Sequence, residues 1–430
     1  MALDYSTVVR RRGAARPKRI AVEICVLGGG IAGVSAAIEA ARLGRDVALI
    51  DGAPQLGGQA VGSMVGTFCG LYGNGRDPRQ VTHGIADEML ASLRASGDAH
   101  DIVGRRNTLI VQYRVPALMR WIEDAVRQAG VSLVLGAVLR PVQCEGRRVR
   151  ALELATRYGD VAVEAGGFVD ASGDAALAWN AGLGVREPGA STIYGTMMFT
   201  LDGVAEAALA NLDRAVLLAR LAEKAKDYGL RRHDGFVFQM PGSGETLINM
   251  THIETPLDAL EAPRAMLDGR AQIDRLVAFL RAEFPQAFEA ARVRAYGLPG
   301  IRQTRWIVGR HHLTAGEVRA GVRFDDAIAR CSWPIEFHDR PEGVVWEEFG
   351  DDHMHYVPFR SLTADECDNL VAAGRCIDAD PVALSSVRVM GPCIAVGAAA
   401  AHALDLAGAG SVHQIDIATL KARLAHNLEN

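Results

Sequence analysis

The chain has 430 residues, of which 49% are hydrophobic and 23% charged, and its net charge is −5. That length supports two or three domains, or one large interleaved fold, around a substantial core. The mild acidity speaks against general electrostatic binding to nucleic acid, and no apolar run approaches the length of a membrane span.

The first residues are basic: Arg10, Arg11, Arg12, Arg16, Lys18 and Arg19. A twin-arginine or secretory signal needs an apolar stretch and a cleavage site after such charges. Here the next apolar stretch is the first core strand, so residues 1–19 read as a flexible, solvated arm. The seven cysteines, Cys25, Cys69, Cys144, Cys331, Cys367, Cys376 and Cys393, are scattered and odd in number. No CxxC or zinc spacing appears, so a reduced, cytoplasmic protein with no metal is expected.

Ile24 to Asp51 reads ICVLGGGIAGVSAAIEAARLGRDVALID. A short apolar run suits a buried parallel strand. It enters Gly28-Gly29-Gly30-Ile31-Ala32-Gly33, which fits GxGxxG, and an Ala-rich helix candidate follows. A second apolar run ends in Asp51. This strand, turn, helix, strand, acid order is the dinucleotide-binding context. Gly28 permits the turn, Gly30 admits a pyrophosphate, and Gly33 lets the helix pack on the strand. The helix N-terminus, at Ile31 and Ala32, offers N–H groups to phosphate. Asp51 stands where an acid bonds the adenosine ribose.

Beyond Asp51 come Gly52, then Gly57-Gly58-Gln59, then a Gly-rich stretch from Gly62 and Ser63 to Gly75. The ALIDGAPQLGGQA segment resembles the FAD-binding half of the glutathione-reductase-like flavoproteins. GSMVGTFCGLYGNG resembles a group of FAD-dependent oxidoreductases distantly similar to the succinate dehydrogenase and fumarate reductase flavoproteins. The resemblance implies FAD as cofactor, with the Gly-rich segment passing along the ribityl chain and flavin ring. It also implies a backbone contact to adenine near Ala137-Val138.

Residues 80–97 and 116–129 have helical periodicity, Val131 to Leu135 reads as a strand, and Gly146 to Val163 as a hairpin or small meander. Phe168 to Asp174 resembles the family's "DATGD" segment, which puts Ala171, Ser172 and Gly173 at the cofactor and Asp174 at a helix N-cap. Composition shifts near Pro188. Strands are expected at Thr196–Leu201 and Gly235–Met240, and helices over 203–226 and 257–291.

Leu298 to Thr314 resembles the family's "GxRETRRIxGxYxLT", and Pro334 to Asp339 its "PIDIHDP". His353 to Leu362 resembles "YxIPYRSL". Gly374 and Arg375 follow a strand. Arg388, Val389 and Met390 open a stretch similar to "RVMGxCxxxGQAAGxAA". There a helix N-terminus can point at the flavin N1/C2 carbonyl. Gly397 and the alanines after it present a smooth face for close helix–sheet packing.

The expected fold is α/β: a Rossmann-like FAD-binding domain (a parallel sheet with a small β-meander) and an inserted α+β cap. The expected division is an arm at 1–19, FAD domain at 20–190 and 351–412, cap at 191–350, and a C-terminal helix at 413–430. A second GxGxxG, a redox cysteine pair and iron–sulfur cysteines are missing, so electrons pass to or from substrate, oxygen, free NAD(P)H or a separate carrier.

Arginines to clamp a carboxylate and a His or Tyr to move protons are the useful catalytic types. Arg302 and Arg305 would share a face if helical. Of His311 and His312, at most one can face a site, and His353 and His355 share a face on a strand. One of Arg360 and Arg388 is expected at the cofactor. The expected function is an FAD-dependent dehydrogenase, oxidase or reductase of a small, carboxylated or cyclic metabolite. Alternatives are a flavin monooxygenase using free NAD(P)H and a non-catalytic FAD-bearing subunit. The electron acceptor and the oligomeric state, including a homo-oligomer, stay open.

Overall fold

The computed structural model describes residues 16–104, 108–189, 193–240 and 243–429. Strand β1 (Lys18–Leu27) lies centrally in a seven-stranded sheet. It runs parallel to β2 (Val47–Asp51) on one side and to Gly159–Asp170 on the other. Ser132–Leu135 continues the parallel set beyond β2. The hairpin Val138–Glu145 and Arg148–Thr156 adds antiparallel strands beyond Gly159–Asp170. Leu370–Ala372 joins the far end of that strand in parallel.

Helix α1 (Ile31–Arg42) covers the sheet with nine buried residues, most of them small. The expected helices and strands of this part are present, at Ile85–Ala95, Val115–Gln128 and Ser132–Leu135. The first strand begins inside the segment expected as an arm. Arg10, Arg11 and Arg12 lie outside the described residues, but Lys18 and Arg19 are strand, paired with Val161 and Ala162. Their charges point outward, and Arg19 forms an exposed ion pair with Glu164 at 2.7 Å. Backbone pairing, which charge patterning does not reveal, decides this.

A second sheet is antiparallel, with the order Phe236–Gln239, Thr246–Asn249, Phe199–Asp202, Arg292–Tyr296. Helix Glu261–Glu283 packs on it through Ile273, Leu276 and Leu280. The buried apolar residues of this unit run from Met197 to Ala291. Leu313, Val318, Phe324 and Ile328 instead join the core around α1. Strand Ala327–Cys331 pairs with His355–Pro358 across the expected boundary at 350. The boundary at 190/191 lies outside the described residues.

Helix Met390–Ala407 returns the chain to α1. By length and composition it could cross a membrane, which corrects the reading that no run has that length; 78% of it is buried inside the fold. Its Gly397 lies against α1 rather than flush on the sheet. A Cβ there would overlap the carbonyl oxygen of Ala32 and stand 3.0 Å from Ser35 Cβ. Ser35 Oγ donates to the carbonyl of Ile394 at 2.8 Å across the same crossing. Gly397→Val is expected to force these helices apart and to destabilise the fold by about 3 kcal/mol or more. A thermal midpoint unchanged from the wild type would remove the crossing from the account.

Candidate active site

The two helices that cross at Gly397 also begin side by side. The N-cap of α1 is Gly30, the N-cap of Met390–Ala407 is Val389, and neither has a side-chain cap or an acidic residue in its first turn. A helix start without such partners presents unsatisfied N–H groups and partial positive charge. Ile31 and Ala32 of one helix, and Val389, Met390 and Cys393 of the other, line a single cleft of about 410 Å³.

Glycines form one wall of that cleft. Gly28 has φ +111°, and a Cβ there would overlap the carbonyl of Ala171. A Cβ on Gly58 would stand 2.7 Å from Gly30 Cα. Gly57 and Gly58 lead helix α2 (Gly58–Gly62), with Gln59 and Ser63 on the cleft. Both polar side chains also hold the segment returning from the second sheet. Gln59 Nε2 donates to the carbonyl of Ile301 at 2.7 Å, and Ser63 Oγ to that of Pro299 at 3.3 Å.

Asp51 lines the cleft beside the glycine turn. Its Oδ2 accepts from Gly29 N at 2.5 Å and its Oδ1 from Ala53 N at 2.6 Å. A carboxylate has about four lone-pair sites, so both oxygens retain acceptor capacity toward the cleft, which Asp51 lines.

Ala171, Ser172 and Gly173 line the cleft as the expected segment does, but its cap differs. Asp174 does not cap the helix Ala176–Asn180. Asp170 Oδ2 accepts from Leu177 N and Ala178 N, both at 3.0 Å, and Ser172 Oγ accepts from Ala176 N at 2.9 Å. Ala175 takes a left-handed turn, φ 46°, which swings Asp174 out to accept from Thr304 Oγ1 at 2.5 Å. Asp170 is fully buried. Asp170→Ala is expected to leave two buried N–H groups unpartnered and to destabilise by about 2–4 kcal/mol. Denaturant midpoints measured against Asp174→Ala, expected to cost less, check this.

Of the other expected cofactor residues, Gly30, Gly374, Arg375 and Arg388 line the cleft. Gly33, Gly52 and Val138 do not. Gly33 lies under the carbonyl of Gly28, where a Cβ would overlap it. Gly52 faces the carbonyl of Ala137, and Val138 is 65% exposed at the start of its strand.

The expected catalytic residues separate. Arg302 lines the cleft, and its Nη1 donates to the carbonyl of Tyr194 at 2.7 Å. Arg305 does not share its face, because residues 301–305 form no helix. Arg305 Nε lies 2.7 Å from Glu187, and its guanidinium stacks over Trp179. His311 pairs with Glu317 at 3.1 Å in the capping box of Ala315–Ala320. His312 lies 2.6 Å from Asp378, which also holds Arg186. His353 and His355 bond each other at 3.1 Å, and His355 Nε2 reaches Ser386 Oγ at 2.9 Å, inside the core. Arg360 pairs with Asp326 at 3.0 Å, leaving Arg388 as the cleft residue of that pair.

Sequence reading missed Glu336, Thr196, Asn249 and Cys69, which line the cleft. Glu336 and His338 stand two apart on the strand Ile335–Arg340; that spacing was a usable signal for a shared face. Electrostatics distinguish the cleft floor. Among the described residues, Arg302, Arg375 and Arg388 form no ion pair with a carboxylate, and Arg375 Nη1 and Thr196 Oγ1 are buried without a hydrogen-bond partner. Burial, and then the positive Arg388, hold the Arg302 pKa well below the ordinary arginine range. Burial likewise lowers that of Arg388, with Glu336 opposing. Three half-buried guanidiniums share this floor with one carboxylate, Glu336, so positive charge is in excess there and the floor suits an anion.

A family model described as FAD dependent oxidoreductase matches residues 23–424. A search of curated proteins returns no match. Among solved structures, a geranylgeranyl bacteriochlorophyll reductase-like protein from Thermoplasma acidophilum is similar in fold. It shares 14% identity over 94% of this chain and 84% of that chain, with a TM-score of 0.51. The p-nitrophenol 4-monooxygenase PnpA from Pseudomonas putida aligns at 10% identity over 95% of this chain and 80% of that chain, with a TM-score of 0.46.

Proposed function

This chain belongs to the FAD dependent oxidoreductase family and is an enzyme that uses FAD, and from that premise we propose that it transfers a hydride between the flavin and a small carboxylated metabolite. The residues present fit the cofactor. Gly28, Gly30 and Gly58 form a cradle that side chains would fill, and the uncapped start of α1 would hold the pyrophosphate. Asp51 would hold the ribose. Gly374, Arg375 and the start of Met390–Ala407 would hold the ring end. The flavin supplies two-electron hydride chemistry when bound.

The observation that carries the substrate class is the pair Arg302 and Arg388, half-buried on the cleft and forming no carboxylate ion pair among the described residues. A planar guanidinium matches a carboxylate with two parallel hydrogen bonds. Binding there would orient the substrate and offset positive charge that Glu336 alone only partly balances. Asn249 and Thr196, both on the cleft, add neutral polar contacts for selectivity.

The proposed division keeps residues 20–190 and 351–412 as the FAD-binding parts and 191–350 as the cap, with 197–291 as the part holding its own core. Kinship with the glutathione-reductase-like flavoproteins, and more distantly with those of succinate dehydrogenase and fumarate reductase, belongs to the same reading. The strand–glycine–helix–strand unit and the antiparallel hairpin beside it support that kinship. A cytoplasmic location is proposed, supported by free thiols at all seven cysteines.

The test is anaerobic. Purified yellow protein is mixed with small hydroxy, amino and saturated carboxylic acids, or is reduced and mixed with keto and unsaturated ones. At least one acid is expected to bleach or restore the flavin colour, while its ester does neither. A panel of acids without effect, alongside a neutral compound that turns over, would sink the carboxylate reading.

A further inference from the structure

One polar residue on the cleft has the direction of its hydrogen bonds fixed from behind. Asn249 ends the strand Thr246–Asn249 and is half-buried. Its Oδ1 accepts from Arg232 Nη1 at 2.9 Å. A guanidinium has donors only, so the amide must turn its oxygen, and not its nitrogen, toward Arg232. Arg232 is itself held fast. It is 2% exposed, its Nε donates to Asp234 Oδ1 at 2.5 Å, and Asp234 Oδ2 accepts from Val344 N at 3.1 Å. Val344 and Arg232 donate to Asp234, Arg232 also donates to Asn249, and only the N–H groups of Asn249 are left over.

Those N–H groups belong to the cleft. Asn249 lines it, and Arg232 and Asp234 do not. Asn249 Nδ2 has no hydrogen-bond partner among the described residues. The charge of Arg232 on the amide oxygen polarises the group and strengthens its nitrogen as a donor. A second unpaired group stands on the same wall. Thr196 and Met198, two positions apart, lead into the neighbouring strand Phe199–Asp202 and both line the cleft. Thr196 Oγ1 is buried without a partner. Arg302 and Arg388 line the same cleft, and Arg232 is among the charges that act on Arg302.

We infer that Asn249 is a specificity-determining residue whose Nδ2 donates to an uncharged acceptor oxygen of the substrate, so that the substrate is an acid carrying an oxo group as well as its carboxylate. This deepens the carboxylate reading of the cleft and rests on it. The carboxylate takes the guanidiniums of Arg302 and Arg388, and the oxo oxygen takes the amide. A plain alkyl chain at that place displaces water and leaves the amide donor unpaired. An ammonium has no lone pair, so it sets N–H against N–H beside a buried cation.

The test is calorimetric titration of the oxidised holoenzyme. The ligands are pentanoate, the oxopentanoates and the aminopentanoates, and phenylacetate, phenylglyoxylate and phenylglycine. An oxo group has no hydride to give an oxidised flavin, so binding is read apart from turnover. At least one oxo acid is expected to bind about tenfold or more tightly than its plain analogue, and its amino analogue no better than the plain acid. Asn249→Asp keeps an acceptor for Arg232 and removes the donor. Its added charge weakens every acid alike, so the readout is the ratio of oxo to plain, expected to fall to about one or below. If that variant loses its flavin, Asn249→Ser, too short to reach the same oxygen, is read by the same ratio. An oxo preference that survives these substitutions overturns the proposal. So does a wild type for which no oxo compound outbinds its plain analogue. The matching neutral amides of the oxo and plain acids separate the two readings. Oxo preference among the amides with no binding of acids removes the carboxylate reading and leaves Asn249 in its role. Binding of acids without oxo preference removes Asn249 and leaves the carboxylate reading intact.

Discussion

Gly28→Ala protein is expected to purify without flavin, or to fail to fold. Gly28 holds φ +111°, a region closed to most side chains. Its N–H donates to the carbonyl of Ile50 at 2.7 Å, and Ala171 N donates to the carbonyl of Leu27 at 2.8 Å. A methyl group would push into the carbonyl of Ala171, between β1 and Gly159–Asp170. Backbone strain and overpacking together should cost about 3–5 kcal/mol. Gly44→Ala is the control. It shares a positive φ, +81°, but a Cβ there meets nothing within 4 Å. It should cost only about 1 kcal/mol and keep its flavin. Flavin absorbance per chain and the thermal midpoint are the readouts. If Gly28→Ala held FAD as the wild type does, the glycine turn would have no part in binding it.

Arg302→Met is expected to lower kcat/KM for the carboxylated substrate about 100-fold while flavin content stays unchanged. Hydrogen bonds to charged groups contribute about 1.5–3 kcal/mol each, and every 1.4 kcal/mol is about tenfold. Arg302 is held by one carbonyl bond, to Tyr194, and its charge is disfavoured by burial and by Arg388. A guanidinium stays charged near neutrality, so an arriving carboxylate relieves an existing electrostatic cost. For the same reason the thermal midpoint of Arg302→Met should equal or exceed that of the wild type. Arg302→Lys should restore little, because an ammonium lacks the planar fork. The ester of the same acid should lose far less than the acid does. Equal losses for acid and ester would remove Arg302 from substrate recognition.

The candidate site was legible where chemistry is local. Gly28, Gly30 and Asp51, read from the local strand–turn–helix–strand pattern, line the cleft, as do Gly57-Gly58, Ala171 to Gly173 and Arg388 to Met390, which the family resemblance implied. The histidines were not legible in that way. His311, His353 and His355 carry suitable chemistry, yet Glu317, Ser386 and the two rings of the last pair consume their hydrogen-bonding capacity. Ser386 lies on an element that periodicity cannot bring to His355. Asp174 gave way to Asp170 as the cap because a single left-handed residue, Ala175, redirects the chain. Arg305 left the site because its segment is extended, so a spacing of three does not align side chains as a helix would.

What the amino-acid order determined alone is the set of tight local devices: glycines where a Cβ would collide, apolar runs that pair in parallel, and a small-residue helix that can approach another closely. These follow from sterics and from burial within one unit of structure. The tertiary fold decided which of the candidate charges meet at the cleft, bringing Glu336 to Arg302 and Arg388 and leaving Arg305 and Arg360 outside. Arg302 arrives from beyond the second sheet, Glu336 from a separate hairpin and Arg388 from the turn before the closing helix. Coulomb interaction and desolvation depend on separation in space, and separation along the chain does not report it.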